Sequence, residues 1–277
     1  MDTPLTYIIV LNWNGKSDTL ECLASLGRAA GPSVRVVVVD NGSSDGSQEE
    51  IRLKHPEVAL LETGENLRYA GGNNAGIRYA LEAGAEQIML LNNDTTVDPD
   101  FLPAMSGTLQ SSADTGIVAP KILYWADPGR LWYAGGIISF WTGTMRHRGI
   151  RQADDGRFDI PGETGYASGC CLLAKRSTIE KIGLLDDSYY MYSEDADWSM
   201  RARRAGLRVL YEPRARVWHK VSVSAGGHLS SFKLRNKFVS NLRFFSRYAS
   251  WYHWLVFPWM NVLVNGYAAA RYLLAGR

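Results

Sequence analysis

The sequence predicts an α/β protein built on a mostly parallel, twisted sheet flanked by helices. Three observations carry that reading. Apolar runs of strand length alternate with helix-period segments from Tyr7 to Leu91. The runs are continuous rather than alternating, as expected of strands buried on both faces. Polar segments rich in Asn, Asp and Gly follow the strands on what must be one edge of the sheet. The length of 277 residues suits one large domain, or a domain with a small appendage, and 46% hydrophobic content supports a sizeable core.

The elements follow in order. Tyr7-Ile8-Ile9-Val10-Leu11 reads as the first strand. Ser17 to Leu26 reads as a helix, with Leu20, Leu23 and Leu26 on one face and Asp18 and Glu21 forming a capping box at its start. Val34 to Val39 is a buried parallel strand, and Asn41 to Ser47 a loop. A helix and a strand over Val58 to Leu61 come next. The loop Asn66 to Gly72 leads into a helix opened by Asn73 and Asn74 and running through Leu81. Gln87 to Leu91 is a further buried strand, followed by a helix at Pro99. From Ile117 the pattern changes to short strands and Gly-rich turns through Gly169. Asp195 to Ala205 is a helix, and Leu207 to Tyr211 and Ala215 to Trp218 are two closing strands. In a sheet of this kind ligands bind beyond the carboxyl ends of the strands. That places Asn12 to Gly15, Asp40 to Ser47 and Asn92 to Thr95 at the ligand edge.

Charge and cysteine usage narrow the class. Cys22, Cys170 and Cys171 are odd in number and form no CxxC pair, which argues against a zinc site or a disulfide scaffold and for a reducing cytoplasm. The apolar run behind the acidic N-terminus is too short for a signal sequence. From residue 201 onward the chain carries 14 lysines and arginines against one acid, Glu212. This balance points to an anionic partner. Residues 249–270 hold no Asp, Glu, Lys or Arg but include Trp251, Tyr252, Trp254, Phe257, Trp259 and Tyr267. Pro258, His253, Asn261 and Asn265 interrupt the run, so an interfacial helix pair on an anionic membrane surface fits better than a span. Packing on the catalytic domain or in a homo-oligomer is the competing reading.

Four segments carry the chemistry. Asn92-Asn93-Asp94 directly follows a buried strand, where a carboxylate can hold a hard divalent cation together with substrate phosphates; an Asx turn is the plainer alternative. Asp40 ends the second strand, placed to accept the N3 hydrogen of a pyrimidine or to cap a turn. Asn66 to Asn74 contains Gly71-Gly72, which permit close backbone approach. No GxGxxG follows the first strand, where the chain reads Asn12-Trp13-Asn14-Gly15, which disfavours a nicotinamide oxidoreductase. Ser193-Glu194-Asp195-Ala196-Asp197-Trp198 follows the aromatic run Tyr189-Tyr190-Met191-Tyr192, a combination suited to a sugar and a base beside its hydroxyl, although acids also favour any helix N-terminus. His219 ends the last strand.

Taken together, the pieces Val38-Val39-Asp40-Asn41-Gly42-Ser43, Tyr69-Ala70-Gly71-Gly72-Asn73-Asn74, Leu91-Asn92-Asn93-Asp94, Ser168-Gly169, Glu194-Asp195-Ala196-Asp197-Trp198 and Trp218-His219 resemble glycosyltransferase family 2, the inverting nucleotide-sugar transferases of GT-A fold. The resemblance runs from Thr6 to about Lys220 and is closest to the rhamnosyltransferase-like subset of polysaccharide assembly. It implies a catalytic domain over 1–222, with a nucleotide-binding half at 1–120 and an acceptor-binding half at 121–222, and a basic aromatic helical segment at 223–277.

The same resemblance implies roles. Asp195 would be the general base, with Glu194 the fallback. Asn12, Asp40, Asn66, Arg68, Gly72, Asn73, Asn92, Asn93 and Asp94 would bind the donor, with Asp40 on the pyrimidine. Tyr192 and Trp198 would shape the acceptor side, and Asp94 and His219 would hold a divalent cation, Mg2+ or Mn2+. Two departures stand out: the first acid of the family's DxD motif is Asn92 here, and Arg68 stands where the family commonly has Gly. The expected donor is a dTDP- or UDP-linked sugar, dTDP-rhamnose first, and the acceptor a glycan or a polyprenyl-diphosphate-linked saccharide. No nucleic acid is expected, and the enzyme would work in the cytoplasm or at the inner face of the plasma membrane. A sugar-phosphate nucleotidyltransferase, or a non-enzymatic carbohydrate- or nucleic-acid-binding module, is the alternative.

Overall fold

The structure is a computed structural model that describes residues 3–29, 31–221, 231–257, 259, 260, 262 and 263. Tyr267 and the flanking Arg271 and Arg277 of the aromatic run lie outside the described residues.

The first half is a wound parallel unit. Strands β1 (Thr6–Asn12), β2 (Val34–Asp40), β3 (Ala59–Glu62) and β4 (Gln87–Asn92) pair in the order β4-β1-β2-β3, every pair parallel. Their core positions, Ile8 to Val10, Val37 to Val39 and Ile88 to Leu90, are buried to 1% exposure or less. Helices α1 (Lys16–Leu26), α2 (Ser47–Lys54) and α3 (Arg68–Glu82) cross between them. The inner face of α3 is stripped to glycine where it meets the sheet. A Cβ at Gly72 would stand 2.5 Å from Leu11 Cδ1, and one at Gly76 would stand 2.6 Å from Ile9 Cγ2. These glycines let a helix lie against β-branched strands; an added methyl forces a shift.

After β5 (Thr95–Val97) and α4 (Phe101–Gln110) the sheet becomes mixed. It gains β6 (Thr115–Tyr124), β7 (Leu131–Tyr133), β10 (Gly162–Glu163), β11 (Cys171–Lys175) and β12 (Arg208–His219), while β8 (Gly136–Ser139) and β9 (Thr144–His147) form a separate hairpin. Strand β11 enters antiparallel between β4 and β6, and so joins the parallel half to the rest. Helices α5 (Arg176–Ile182) and α6 (Glu194–Arg204) flank it, and α7 (Ser231–Tyr248) packs across α6.

Three expectations need correction. The two closing strands are one, β12, interrupted by an irregular register against β6 between Glu212 and Arg216; Pro213 and its neighbours make the break. Helix α3 starts at Arg68, so Asn73 and Asn74 lie inside it rather than opening it. Asp18 and Glu21 make no cap at the start of α1. Both instead accept hydrogen bonds from Lys220 Nζ at 2.7 Å, tying α1 to the end of β12.

Candidate active site

The carboxyl ends of β1, β2 and β4 lie side by side, with Asn12 in register with Asp40 and Leu11 with Asn92. Asn12 is fully buried and its amide is wholly committed. Its Nδ2 donates to Asp40 Oδ1 (2.7 Å) and Ser43 Oγ (3.1 Å), while its Oδ1 accepts from Thr19 Oγ1 (2.8 Å) and Gly15 N (3.2 Å). Asn12 therefore holds the site's floor rather than facing a ligand. Asp40 also accepts from Ser43 N at 3.0 Å and Gln48 Nε2 at 2.8 Å. Three donors on a carboxylate with about four lone-pair sites leave one for a ligand.

The Asn92-Asn93-Asp94 turn sits beyond this floor. Asn93 Nδ2 donates to Thr19 Oγ1 at 2.9 Å, which fixes the turn against α1. Asp94 is buried, and its Oδ1 lies 3.1 Å from His219 Nε2. The antiparallel pairing of β5 with β12 sets Thr95 opposite His219, and Lys220 N donates to the Asp94 carbonyl at 2.9 Å. The other ring nitrogen, His219 Nδ1, is buried without a hydrogen-bond partner. Trp132 meets His219 edge-on at 4.5 Å and His147 at 4.3 Å. Burial pushes His147 down to about 4, so that ring is neutral at neutral pH.

His219 Nε2 and Asp94 Oδ1, 3.1 Å apart, are close enough to share one divalent cation. No three His, Cys, Asp or Glu side chains converge on a cation site among the described residues. Two protein ligands would leave the remaining positions to water and phosphate oxygens, the usual arrangement for such a cation on a nucleotide.

The loop before α3 is fastened to the donor edge by Asn41, which sequence reasoning quoted but did not assign. Its Nδ2 donates to Asn66 Oδ1 (3.0 Å) and the Arg68 carbonyl (3.1 Å), and its Oδ1 accepts from Leu67 N (3.0 Å). Arg68 adopts φ +62°, a left-handed conformation that glycine takes without strain. The conformation explains why glycine suits this position. The exposed guanidinium lies 3.9 Å over the Tyr190 ring, reaching from the donor edge to the aromatic loop. Asn73 is buried and donates to the Tyr69 carbonyl at 2.9 Å, and Gly72 packs on Leu11, so neither faces open space.

The acidic cluster opens α6. Tyr192 and Ser193 both have φ near +70°, two successive left-handed residues without a glycine. Such backbone costs roughly 1–3 kcal/mol per residue and persists only where the surroundings hold it. Here α7 holds it: Ser240 Oγ donates to the Met191 carbonyl at 2.7 Å. Asp195 is partly exposed, and its Oδ2 accepts from Gly169 N at 2.8 Å. Glu194 is buried, with Oε2 lacking any partner. Burial raises both carboxyls above their ordinary range, and the Asp195 charge raises Glu194 further. The Gly169 amide opposes that rise in Asp195.

The neighbours in the acidic cluster have other work. Trp198 is fully buried and donates from Nε1 to the Gly183 carbonyl at 2.8 Å, so it supports α6 from the core instead of lining an acceptor face. Asp197 is fully buried and accepts from Arg201 (2.8 Å), Arg247 (2.8 Å), Tyr248 (2.7 Å) and Tyr189 (3.3 Å). It anchors α7 and the aromatic loop to α6.

The two residues before β11 join the two sides. Gly169 N donates to Asp195, the Gly169 carbonyl accepts from Tyr69 Oη at 2.6 Å, and the Cys170 carbonyl accepts from Asn92 N at 2.9 Å. The charges of Asp94 and Asp195 both act on the Cys170 thiol. The donor-edge turn and the acidic cluster are thus brought to one place by a single short segment. Its only trace in the sequence is Ser168-Gly169.

Comparison with known proteins agrees with this geometry. The glycosyl transferase family 2 model matches residues 7–183. The low-salt glycan biosynthesis hexosyltransferase Agl10 of Haloferax volcanii is 27% identical, over 96% of this chain and 84% of its own. The N-acetylglucosaminyl-diphospho-decaprenol L-rhamnosyltransferase of Mycobacterium tuberculosis is 29% identical, over 83% of this chain and 80% of its own. Among solved structures, the mannosyltransferase PcManGT from Pyrobaculum calidifontis, in complex with GDP-Man and Mn2+, superposes with TM-score 0.66 at 20% identity, over 96% of this chain and 74% of that one. GalNAc-T7 with UDP, GalNAc and Mn2+ superposes with TM-score 0.69 at 16% identity, over 88% of this chain and 48% of that one. Both share the GT-A fold. The match, the fold and the paired turns give one conclusion: the chain is a member of glycosyl transferase family 2, and it is a glycosyltransferase.

Proposed function

We propose that the enzyme moves a hexosyl group, rhamnose first among candidates, from a pyrimidine nucleoside diphosphate to a saccharide carried on a polyprenyl diphosphate, with inversion. The observation that carries this is the Gly169-Cys170 segment, which bonds at once to Asn92 on the donor edge and to Asp195 on the acceptor side. The printed names of the relatives, a decaprenol-linked rhamnosyltransferase and a glycan hexosyltransferase, support the choice of sugar and acceptor.

In this reading the one remaining lone-pair site of Asp40 accepts the pyrimidine N3–H. Asn92 would meet the diphosphate while Asn93 holds the turn through Thr19, and Asn66 and Arg68 would line its approach. A divalent cation held by Asp94 and His219 would neutralise charge on the departing diphosphate. Asp195 takes the proton of the acceptor hydroxyl. The hydroxyl oxygen bonds to the anomeric carbon from one side while the bond to the diphosphate oxygen breaks on the other. The nucleoside diphosphate leaves with that electron pair, and Asp195 retains the proton until solvent removes it. Its elevated carboxyl pKa suits a base, because a stronger base takes a hydroxyl proton more readily. Tyr192 and Tyr190 present rings to the acceptor sugar. Residues 1–222 form the catalytic domain in this scheme.

The test is release of nucleoside diphosphate from a panel of dTDP-rhamnose, UDP-hexoses and GDP-mannose with Mn2+, using wild type and Asp195→Asn. We expect a pyrimidine donor to lead, and the variant to lose about 10²- to 10⁴-fold in kcat at unchanged donor KM. Near-normal turnover by the variant removes Asp195 from the mechanism, and GDP-mannose in first place removes the pyrimidine assignment.

A further inference from the structure

The C-terminal helices are packed on one side and bare on the other. Helical residues 251–257 follow α7. Their inner side is held by rings: His253 lies 4.9 Å from Trp141 and 5.5 Å from Phe140, and Phe257 lies 5.9 Å from Phe245. Gly143, on the β8–β9 hairpin, admits Phe257 so closely that a Cβ there would stand 2.7 Å from the ring. The outer side carries Trp251, Leu255 and Trp259, four residues apart and 75%, 64% and 74% exposed. Val262 and Leu263 beyond them, and Phe238 and Leu242 on α7, are also exposed. A row of large apolar side chains at helical spacing, left in water, marks a surface that something else covers.

Charge identifies the cover. From Ser231 to Arg277 the chain has seven lysines and arginines and no Asp or Glu. Arg235, Lys237 and Arg243 are exposed on α7 itself. A second copy docking through the same face would set this cationic surface against itself, because a two-fold contact pairs a patch with its own image. A bilayer with anionic headgroups satisfies both features: cations meet phosphates, and Trp rings sit at the interface. Among the described residues no helix is long and apolar enough to cross a membrane.

We propose that the outward face of the C-terminal helices, from Phe238 on α7 through Trp251, Leu255 and Trp259, is a docking surface for an anionic lipid bilayer. Helix α7 ties that surface to the catalytic turn. Ser240 bonds to Met191, Arg243 Nη1 to the Ser188 carbonyl at 2.6 Å, and Arg247 and Tyr248 to Asp197. Docking therefore fixes the catalytic turn relative to the bilayer through α7. That a lipid-linked acceptor is presented there rests on the function proposed above; lipid docking itself does not.

The experiment is co-sedimentation of the full chain with phosphatidylcholine vesicles, with and without 30% phosphatidylglycerol, at low and high salt. The variants are Trp251→Glu/Leu255→Glu/Trp259→Glu and Arg235→Glu/Lys237→Glu. Wild type is expected to bind the anionic vesicles about tenfold or more tighter than the neutral ones, and to lose that preference at high salt. Both variants should lose most binding while keeping wild-type release of nucleoside diphosphate in solution. If the triple variant fails to fold, the charge variant alone decides. Absence of wild-type binding to anionic vesicles overturns the proposal. So does unchanged binding by a folded variant, or a wild-type dimer on a sizing column that the triple variant converts to monomer. Loss of donor hydrolysis in Asp195→Asn with intact lipid binding separates the two proposals.

Discussion

Replacing Gly169 with alanine tests whether the segment before β11 sets the base. An ideal Cβ at this position stands 2.5 Å from Tyr69 Oη and 3.0 Å from Cζ, well inside contact distance. The tyrosine cannot retreat without breaking its 2.6 Å bond to the Gly169 carbonyl. The peptide must then move, and the 2.8 Å bond from Gly169 N to Asp195 Oδ2 lengthens or breaks. A buried neutral hydrogen bond is worth about 1 kcal/mol net, and one to a charged group about 1.5–3 kcal/mol. The amide lowers the Asp195 pKa against the rise caused by burial, so its loss lets that pKa climb. A base must be deprotonated to act, so the acid limb of the rate profile moves to higher pH. A displaced base also costs about 10²-fold in turnover at its optimum. The assay is kcat against pH for wild type, Gly169→Ala and Gly169→Ala/Tyr69→Phe. Removing the hydroxyl relieves the closer clash, so the double variant should recover part of the loss. If Gly169→Ala keeps both turnover and the position of its acid limb within error of wild type, the Gly169 amide does not set the base.

Two further outcomes follow from the buried charges. Glu194 has a folded pKa raised above its ordinary 4.5, so the stability it contributes is full below that value and is lost as pH rises through the folded one. Glu194→Gln should therefore raise stability above neutral pH by on the order of 1–2 kcal/mol and flatten its pH dependence, read by urea unfolding at pH 5 and pH 8; a variant less stable at pH 8 contradicts this. Asp197→Asn keeps the shape but removes the charge facing Arg201 and Arg247, whose side chains are 24% and 44% exposed. Solvent at the arginines reduces the full cost of breaking a buried pair to about 2 kcal/mol, and release of α7 should lower kcat more than it raises donor KM; unchanged stability would show that Asp197 does not anchor α7.

Much of this site was legible because it is built on local pattern. Strands β1, β2 and β4 are continuous apolar runs, and each ends in a polar residue, Asn12, Asp40 or Asn92, where topology puts ligands. What was missed depends on contacts distant in sequence. Asp18 and Glu21 have capping-box spacing, but their partner is Lys220. Trp198 follows three acids beside an aromatic run, yet helical geometry turns it into the core while Asp195 stays partly exposed. Gly71 and Gly72 read as the loop before the helix, whereas both lie inside α3, where the missing Cβ of Gly72 permits the close approach to Leu11. Asn12 reads as a ligand contact, but its four strong hydrogen bonds to Asp40, Ser43, Thr19 and Gly15 appear only once three chain segments meet.

In the proposed mechanism Asp94 and His219 bind and Asp195 does the chemistry, and calorimetry on two variants separates these roles most directly. Titrating dTDP or UDP with Mn2+ into Asp195→Asn should give wild-type affinity in a protein that does not turn over. The same titration into Asp94→Ala should lose about tenfold or more in affinity, together with the response to Mn2+. An Asp94→Ala protein that binds the nucleotide as tightly as wild type, with the same gain from Mn2+, would contradict the account.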